Sequence, residues 1–298
     1  MRTRTAIVVM ILLAAAVVGL QAVEDRARTM LLPEGQAADI LYIQSPEMLK
    51  RASLSYTALI ADLYWIRAVQ YYGGTRLSTG PKNYALLYPL LDLTTSVDPL
   101  FDIAYRFGAI FLAEDFPGGA GRPDLAIALL QKGLRAQPGK WQFGEDIGFV
   151  YYWWKRDYTT AADWFTRAGD MPNAPEWLKP LAAVTLARGG NRASSRTLWT
   201  EIVQNAELDW LRKQGEVRLK QLDALDGIDI VQGYVQRYRD RTGVFPTTWD
   251  DMVRARIIRG VPRDPTGVPF RLDPSTGSVT LDPASSLNPL PTVTEQPH

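Results

Sequence analysis

Apolar positions recur at helical spacing along most of this chain. Leu59, Leu63, Ile66, Val69 and Tyr72 fall three or four residues apart, which predicts a helix over Ser53–Tyr72 with Gly73-Gly74 ending it. Asn83 to Thr95 reads as a second helix, interrupted or bent at Pro89. Trp177, Leu181, Val184 and Leu186 predict another helix, Gly189-Gly190 a turn, and Ala193, Leu198, Trp199 and Ile202 its return. From Asp209 to Arg241, Leu222, Leu225, Ile228, Val231, Val235 and Tyr238 mark one long helix, weakened at Gly227 and Gly233. Such a helix would cover the open face of whatever precedes it. The texture changes after Gly243. Thr247 or Thr248 can cap a short helix holding Trp249, Met252 and Val253. Residues 268–272 and 278–281 read as two short strands around Asp273-Pro-Ser-Thr-Gly277. The expected class is all-α, with a small helix plus β-hairpin module at the carboxy end.

The stretch from Asp98 to Pro172 carries the most specific pattern. Its first half holds Tyr105, Gly108 and Phe111, then Ala126-x3-Leu130-x2-Gly133 and Pro138. Its second half holds Ile147-Gly148-x2-Tyr151, then Ala161-x3-Phe165-x2-Ala168 and Pro172. The two prolines stand 34 residues apart. Small residues let paired helices approach and large ones fill the groove between them. This order and period resemble the tetratricopeptide repeat. The resemblance implies a stack of helical hairpins over residues 53–241, with 53–99 as a degenerate first hairpin and a third repeat after Pro172 that puts Ala193 on the signature alanine. It also implies a concave face. In that frame the face takes Asp102, Tyr105, Ala109 and Leu112, then Gln142, Glu145, Phe149 and Tyr152. Aromatic and scattered polar groups of this kind suit an extended peptide or a partner helix. The same groove could instead be filled by the chain's own terminal helix.

At the amino terminus, Arg2 and Arg4 precede an uncharged run from Thr5 to Val23, and Glu24, Asp25, Arg26 and Arg28 follow it. This predicts a signal-anchor helix over residues 1–23, entering the membrane through residues 6–23. Leu20-Gln21-Ala22 makes a poor cleavage site, so the uncleaved anchor is favoured over a cleaved signal. The preceding arginines orient the body outward, which in a bacterium means a single-pass inner-membrane protein facing the periplasm. Residues 24–52 read as a linker.

The carboxy-terminal module, residues 242–282, contains Gly243-Val-Phe-Pro246 and then Pro262-Arg-Asp264-Pro-Thr-Gly267-Val-Pro-Phe270. This spacing resembles the end of the soluble domain of type II secretion major pseudopilins. The resemblance implies a small folded module and a link to secretion or pilus machinery. It does not carry that family's calcium site, and Asp264 and Asp273 read as turn residues. Residues 283–298, rich in Pro, Ser and Asn, read as a disordered tail.

Composition narrows the chemistry. A net charge of +1 gives no electrostatic case for nucleic acid. There are no cysteines, and the single histidine is the last residue, His298. Thiol catalysis and cysteine-held metals therefore have no residues to use, and a histidine-based triad would have to draw on the last residue. Gly118-Gly-Ala-Gly121 lacks the Lys-Ser or Lys-Thr of a phosphate loop and reads as an interhelical turn. The expectation is a non-enzyme without cofactor or metal: a membrane-anchored periplasmic scaffold that binds protein partners in an envelope complex. Two alternatives stay open. One is a glycan or peptide binder served by Tyr151-Tyr-Trp-Trp154. The other is a carboxylate-based hydrolase.

Overall fold

The computed structural model describes residues 45–291, and the predicted anchor lies outside them. The described residues form eleven α-helices, one π-helical turn and a two-stranded antiparallel hairpin. The chain is thus predominantly helical, as its periodicity predicts. It divides at Gly121 into two compact units, which are taken separately.

The first unit begins with α1 (Pro46–Ala52), capped by Ser45, whose Oγ accepts from the Met48 amide, with Pro46 opening the helix. Then follow α2 (Thr57–Leu77), α3 (Leu87–Val97) and α4 (Asp102–Ala113). Gly73-Gly74 does not end α2, which continues to Leu77. The Lys82 ammonium donates to the carbonyls of Thr75 at 3.0 Å and Arg76 at 2.8 Å, and to that of Ser78. A cation on the last open carbonyls stabilises a helix end that the glycines alone would fray. Pro89 does not bend α3, because it sits in the first turn, where no amide donor is needed. The core of this unit gathers Leu49, Ala61, Leu93 and Val97, with Ile60, Tyr64 and Phe101 around them.

The second unit runs α5 (Pro123–Ala136), α6 (Trp141–Val150), a π-helical turn (Tyr151–Lys155), α7 (Tyr158–Gly169), α8 (Leu178–Arg188), α9 (Arg192–Asn205) and α10 (Asp209–Thr242). Each helix from α5 to α10 packs on the next in the chain. The patterned small and large residues do the packing. Ala161, Phe165 and Ala168 are fully buried in one cluster with Leu178 and Ala182. Ala126, Leu130 and Gly133 are buried on α5. In α9 the packed small residue is Ser195 rather than the exposed Ala193, and the Ser195 hydroxyl donates to the Ala183 carbonyl at 2.7 Å.

The glycines at 227 and 233 leave α10 unbroken. Its amino half packs on α9 around Trp199, Ile202, Leu211 and Leu222. Asp226 there receives Arg192 at 3.2 Å and Arg196 at 2.6 Å. The carboxy half of α10 carries the terminal module. That module comprises α11 (Trp249–Arg254) and strands β1 (Arg271–Leu272) and β2 (Val279–Thr280). Thr248 and Asp251 form a reciprocal capping box at the start of α11. Val231, Val235, Met252, Phe270, Val279, Leu281 and Leu287 form the module's core. The stretch after Pro283, expected to be disordered, is folded as far as Pro291: Ser285 and Leu287 are buried, and Gln221 donates to the Leu287 and Pro289 carbonyls.

Candidate interaction surface

In the first unit, α2 and α4 lie side by side and run in the same direction. Trp65 meets Phe101 just before α4, while Tyr72 stacks on Phe111 near the end of α4. Between them Trp65 stacks on Phe111 with the ring planes 5° apart. The pair is locked at its carboxy end. Tyr72 donates to Glu114 and accepts from Arg76, and Arg76 reaches the same carboxylate oxygen at 2.5 Å. Burial and the Glu114 bond push the Tyr72 phenol up to about 12. Burial pushes the Glu114 carboxyl up, yet the hydrogen bonds from Tyr72 and Arg76 outweigh it and hold it below the usual value.

The outward face of these two helices is apolar. On α2, Leu59, Leu63, Ile66 and Val69 are 38–55% exposed, and on α4, Ile103, Phe107 and Ile110 are 47–52% exposed. Both sets flank the aromatic contact. Val69 lies one turn beyond Trp65, and Phe107 one turn before Phe111. Four residues advance a helix by about 40° beyond a full turn, so the two steps rotate in opposite senses. For neighbouring helices that run the same way, opposite rotations lead to the same side. The stripes therefore make one surface, with Trp65 and Phe111 half-buried along its midline. The helix-forming period of Leu59, Leu63, Ile66 and Val69 was legible in the sequence. The face that α2 buries is the other one, made by Ala61, Ala68, Tyr71 and Tyr72.

The positions expected to face a partner are distributed as follows. Asp102 is half-buried in the first turn of α4. Tyr105, Ala109 and Leu112 are buried in the first unit, and the Tyr105 hydroxyl donates to the Thr95 carbonyl of α3 at 3.3 Å. The outward stripe on α4 is the neighbouring one, through Ile103, Phe107 and Ile110. Spacing reports the helical period of α4 and not which of its stripes is buried. Ala104, Gly108 and Ala113 let the core side of α4 come close, and a small residue on a helix is a cue to the buried stripe.

In the second unit, Glu145 is buried and Gln142 half-buried, with the Gln142 Oε1 atom enclosed and lacking a hydrogen-bond partner. Phe149 is half-buried and meets Phe165 edge-on at 5.0 Å. Tyr152 sits in the π-helical turn, where its hydroxyl accepts from Arg188 and its ring packs edge-on against Trp153 and Tyr158. The turn closes at Arg156, which takes left-handed backbone angles. The most exposed aromatics of this unit are Trp153, Trp210 and Trp177.

Among the described residues, no three or more His, Asp or Glu side chains are grouped to hold a metal ion, and no helix is long and apolar enough to cross a membrane. No protein-family model, curated protein or solved structure matches this chain.

Proposed function

We propose that this protein is a membrane-anchored scaffold of the tetratricopeptide-repeat kind, which binds other proteins and helps assemble a complex of the bacterial envelope. The observation that carries the reading is the outward apolar face of α2 and α4. Seven large side chains, each about half exposed, amount to several hundred Å² of contiguous apolar surface by a rough count, the size that marks an interaction site. Repeating helical hairpins supply such surfaces without reactive groups of their own. Residues 6–23 hold the body at the inner membrane, and the arginines before them place it in the periplasm. The carboxy-terminal resemblance directs the assembly to the secretion or pilus machinery, an inference by analogy.

The test uses the full chain, solubilised from its membrane. Phe107→Ser with Ile110→Ser removes two central apolar contacts, so recovery of a stoichiometric partner falls by about tenfold or more. The far-ultraviolet circular dichroism and the melting temperature stay as they were, because both positions face outward. A chain that recovers no stoichiometric partner in either form contradicts the scaffold reading.

A second reading, a binder of periplasmic glycans, draws on Trp153 and Trp177, both substantially exposed in the second unit. Quenching of tryptophan fluorescence by cell-wall fragments, lost in Trp153→Ala, would favour it.

A further inference from the structure

The outward face of α2 has a finer regularity than its apolar character. From the N-cap Tyr56 to the last residue Leu77, the positions Tyr56, Leu59, Leu63, Ile66, Gln70, Gly73 and Leu77 follow steps of three, four, three, four, three and four. This is the a/d seam of a coiled coil, sustained for three heptads. Its large apolar members are all 50–83% exposed, Gln70 is exposed and Gly73 is half-buried. The face that a lone coiled-coil helix would leave in water is here the core: Ala61, Ala68, Tyr71 and Tyr72 are turned into the first unit. The helix is therefore folded with its seam outward.

We propose that this seam pairs with the α2 of a second copy of the chain, parallel and in register, to form a homodimer. Charge order favours that partner. Asp62 precedes the seam position Leu63 and Arg67 follows the seam position Ile66, so the two are five residues apart on opposite flanks. Parallel pairing places each Asp62 beside the other copy's Arg67, whereas antiparallel pairing sets like flanks together. Arg67 already has an interaction within its own chain, and a guanidinium with five donors takes a second carboxylate alongside it. Gln70 is the one side-chain amide on the seam, and a polar group at a single seam position fixes register. Five large seam residues, each leaving on the order of 100 Å² exposed, offer about 500 Å² per copy, at the low end of interface sizes, where roughly 800 Å² per partner is standard. The inference deepens the scaffold reading, on which it rests, by naming what covers the α2 side of that face; two chains anchored in one membrane also present α2 in the same direction.

The chain has no native cysteine, so single introduced cysteines report on pairing directly. Leu59→Cys, Leu63→Cys, Ile66→Cys and Gln70→Cys are each made in the full chain and oxidised in its membrane, with the exposed but off-seam Ala58→Cys as control. All four seam variants should give a disulfide-linked dimer and the control none, because a disulfide needs Cα atoms within about 7 Å. Ile66→Asp should halve the mass measured by light scattering in detergent, with the helical signal unchanged. Cross-linking at one seam position only, as an antiparallel crossing would give, overturns the proposal. So does an absence of dimer at all four. Adducts at these positions with a different protein would overturn the dimer while leaving the scaffold reading in place.

Discussion

Gly148 lies directly beneath the ring of Phe165. A Cβ at residue 148 would come within 2.4 Å of the Phe165 Cε1 atom, closer than any real contact. These are two of the residues that gave the middle of the sequence its repeat-like order, and they set how closely α6 approaches α7. Gly148→Ala should therefore overpack the contact by about 1–3 kcal/mol, offset by at most about 1 kcal/mol of helix propensity. The melting temperature of the full chain is expected to fall by about 2–6 °C. Gly233 is the contrasting case, since no atom lies within 4 Å of where its Cβ would be. Gly233→Ala should raise the stability by up to about 1 kcal/mol. Equal effects of the two substitutions would show that helix propensity, and not the close approach, governs residue 148.

The Tyr72, Glu114 and Arg76 lock should fail at both ends of the pH range. The Tyr72 phenol is raised to about 12 from its ordinary 10. Its contribution is thus complete below pH 10 and lost as pH rises toward 12. The Glu114 carboxyl is lowered from 4.5, so its contribution is present above that value and lost as pH falls through the lower one. Tyr72→Phe should remove the alkaline loss, and Glu114→Gln should remove the acid loss. Hydrogen exchange of residues 57–77 and 102–114, followed from pH 3 to pH 11.5, separates the two limbs.

Asp264 plays the equivalent part in the carboxy-terminal module. Its carboxylate is buried and accepts from the Thr266 amide at 2.8 Å, the Thr266 hydroxyl at 2.7 Å, the Val268 amide at 3.0 Å and the Ser285 hydroxyl. Burial acts to raise its pKa, but the hydrogen bonds outweigh it and hold the group below 3.8. Its contribution should be complete above about pH 4 and lost as pH falls through the lowered value. Asp264→Ala leaves two amides and two hydroxyls unmatched, at an expected cost of about 2–3 kcal/mol. Exchange protection of residues 262–291 should drop selectively, while that of α7 and α8 holds.

Periodicity made most helices readable, because amphipathic spacing reports which element forms whatever the tertiary context. It could not report which face of α2 is buried. Two stripes run along that helix, and the one richer in Leu and Ile faces outward while alanines and tyrosines pack inward. Composition alone favours the opposite choice. The positions assigned to a partner-facing wall inherited a phase from the repeat resemblance, and on α4 the core took Tyr105 and Leu112. The fold of residues 283–291 was illegible for another reason. Their order depends on Gln221, which lies more than sixty residues away in the chain and recognises backbone carbonyls rather than side chains. The Gln232 clamp on Gly277 and Val279 is of the same kind. No local pattern encodes such contacts. Turn chemistry, by contrast, transferred well: Thr248, Asp264 and Asp273 take the capping and turn roles their residue types favour.

Site-specific photo-cross-linking reports whether another protein docks on the outward face of α2 and α4. A photoreactive residue is placed at Ile103, Phe107 or Ile110 of the full chain in its native membrane, and at the exposed Ala85 as reference. One discrete protein adduct shared by the three positions is expected, absent at Ala85 and abolished when Leu63→Asp is introduced on the neighbouring helix. Adduct yields at the three positions no higher than at Ala85 would rule out docking on this face.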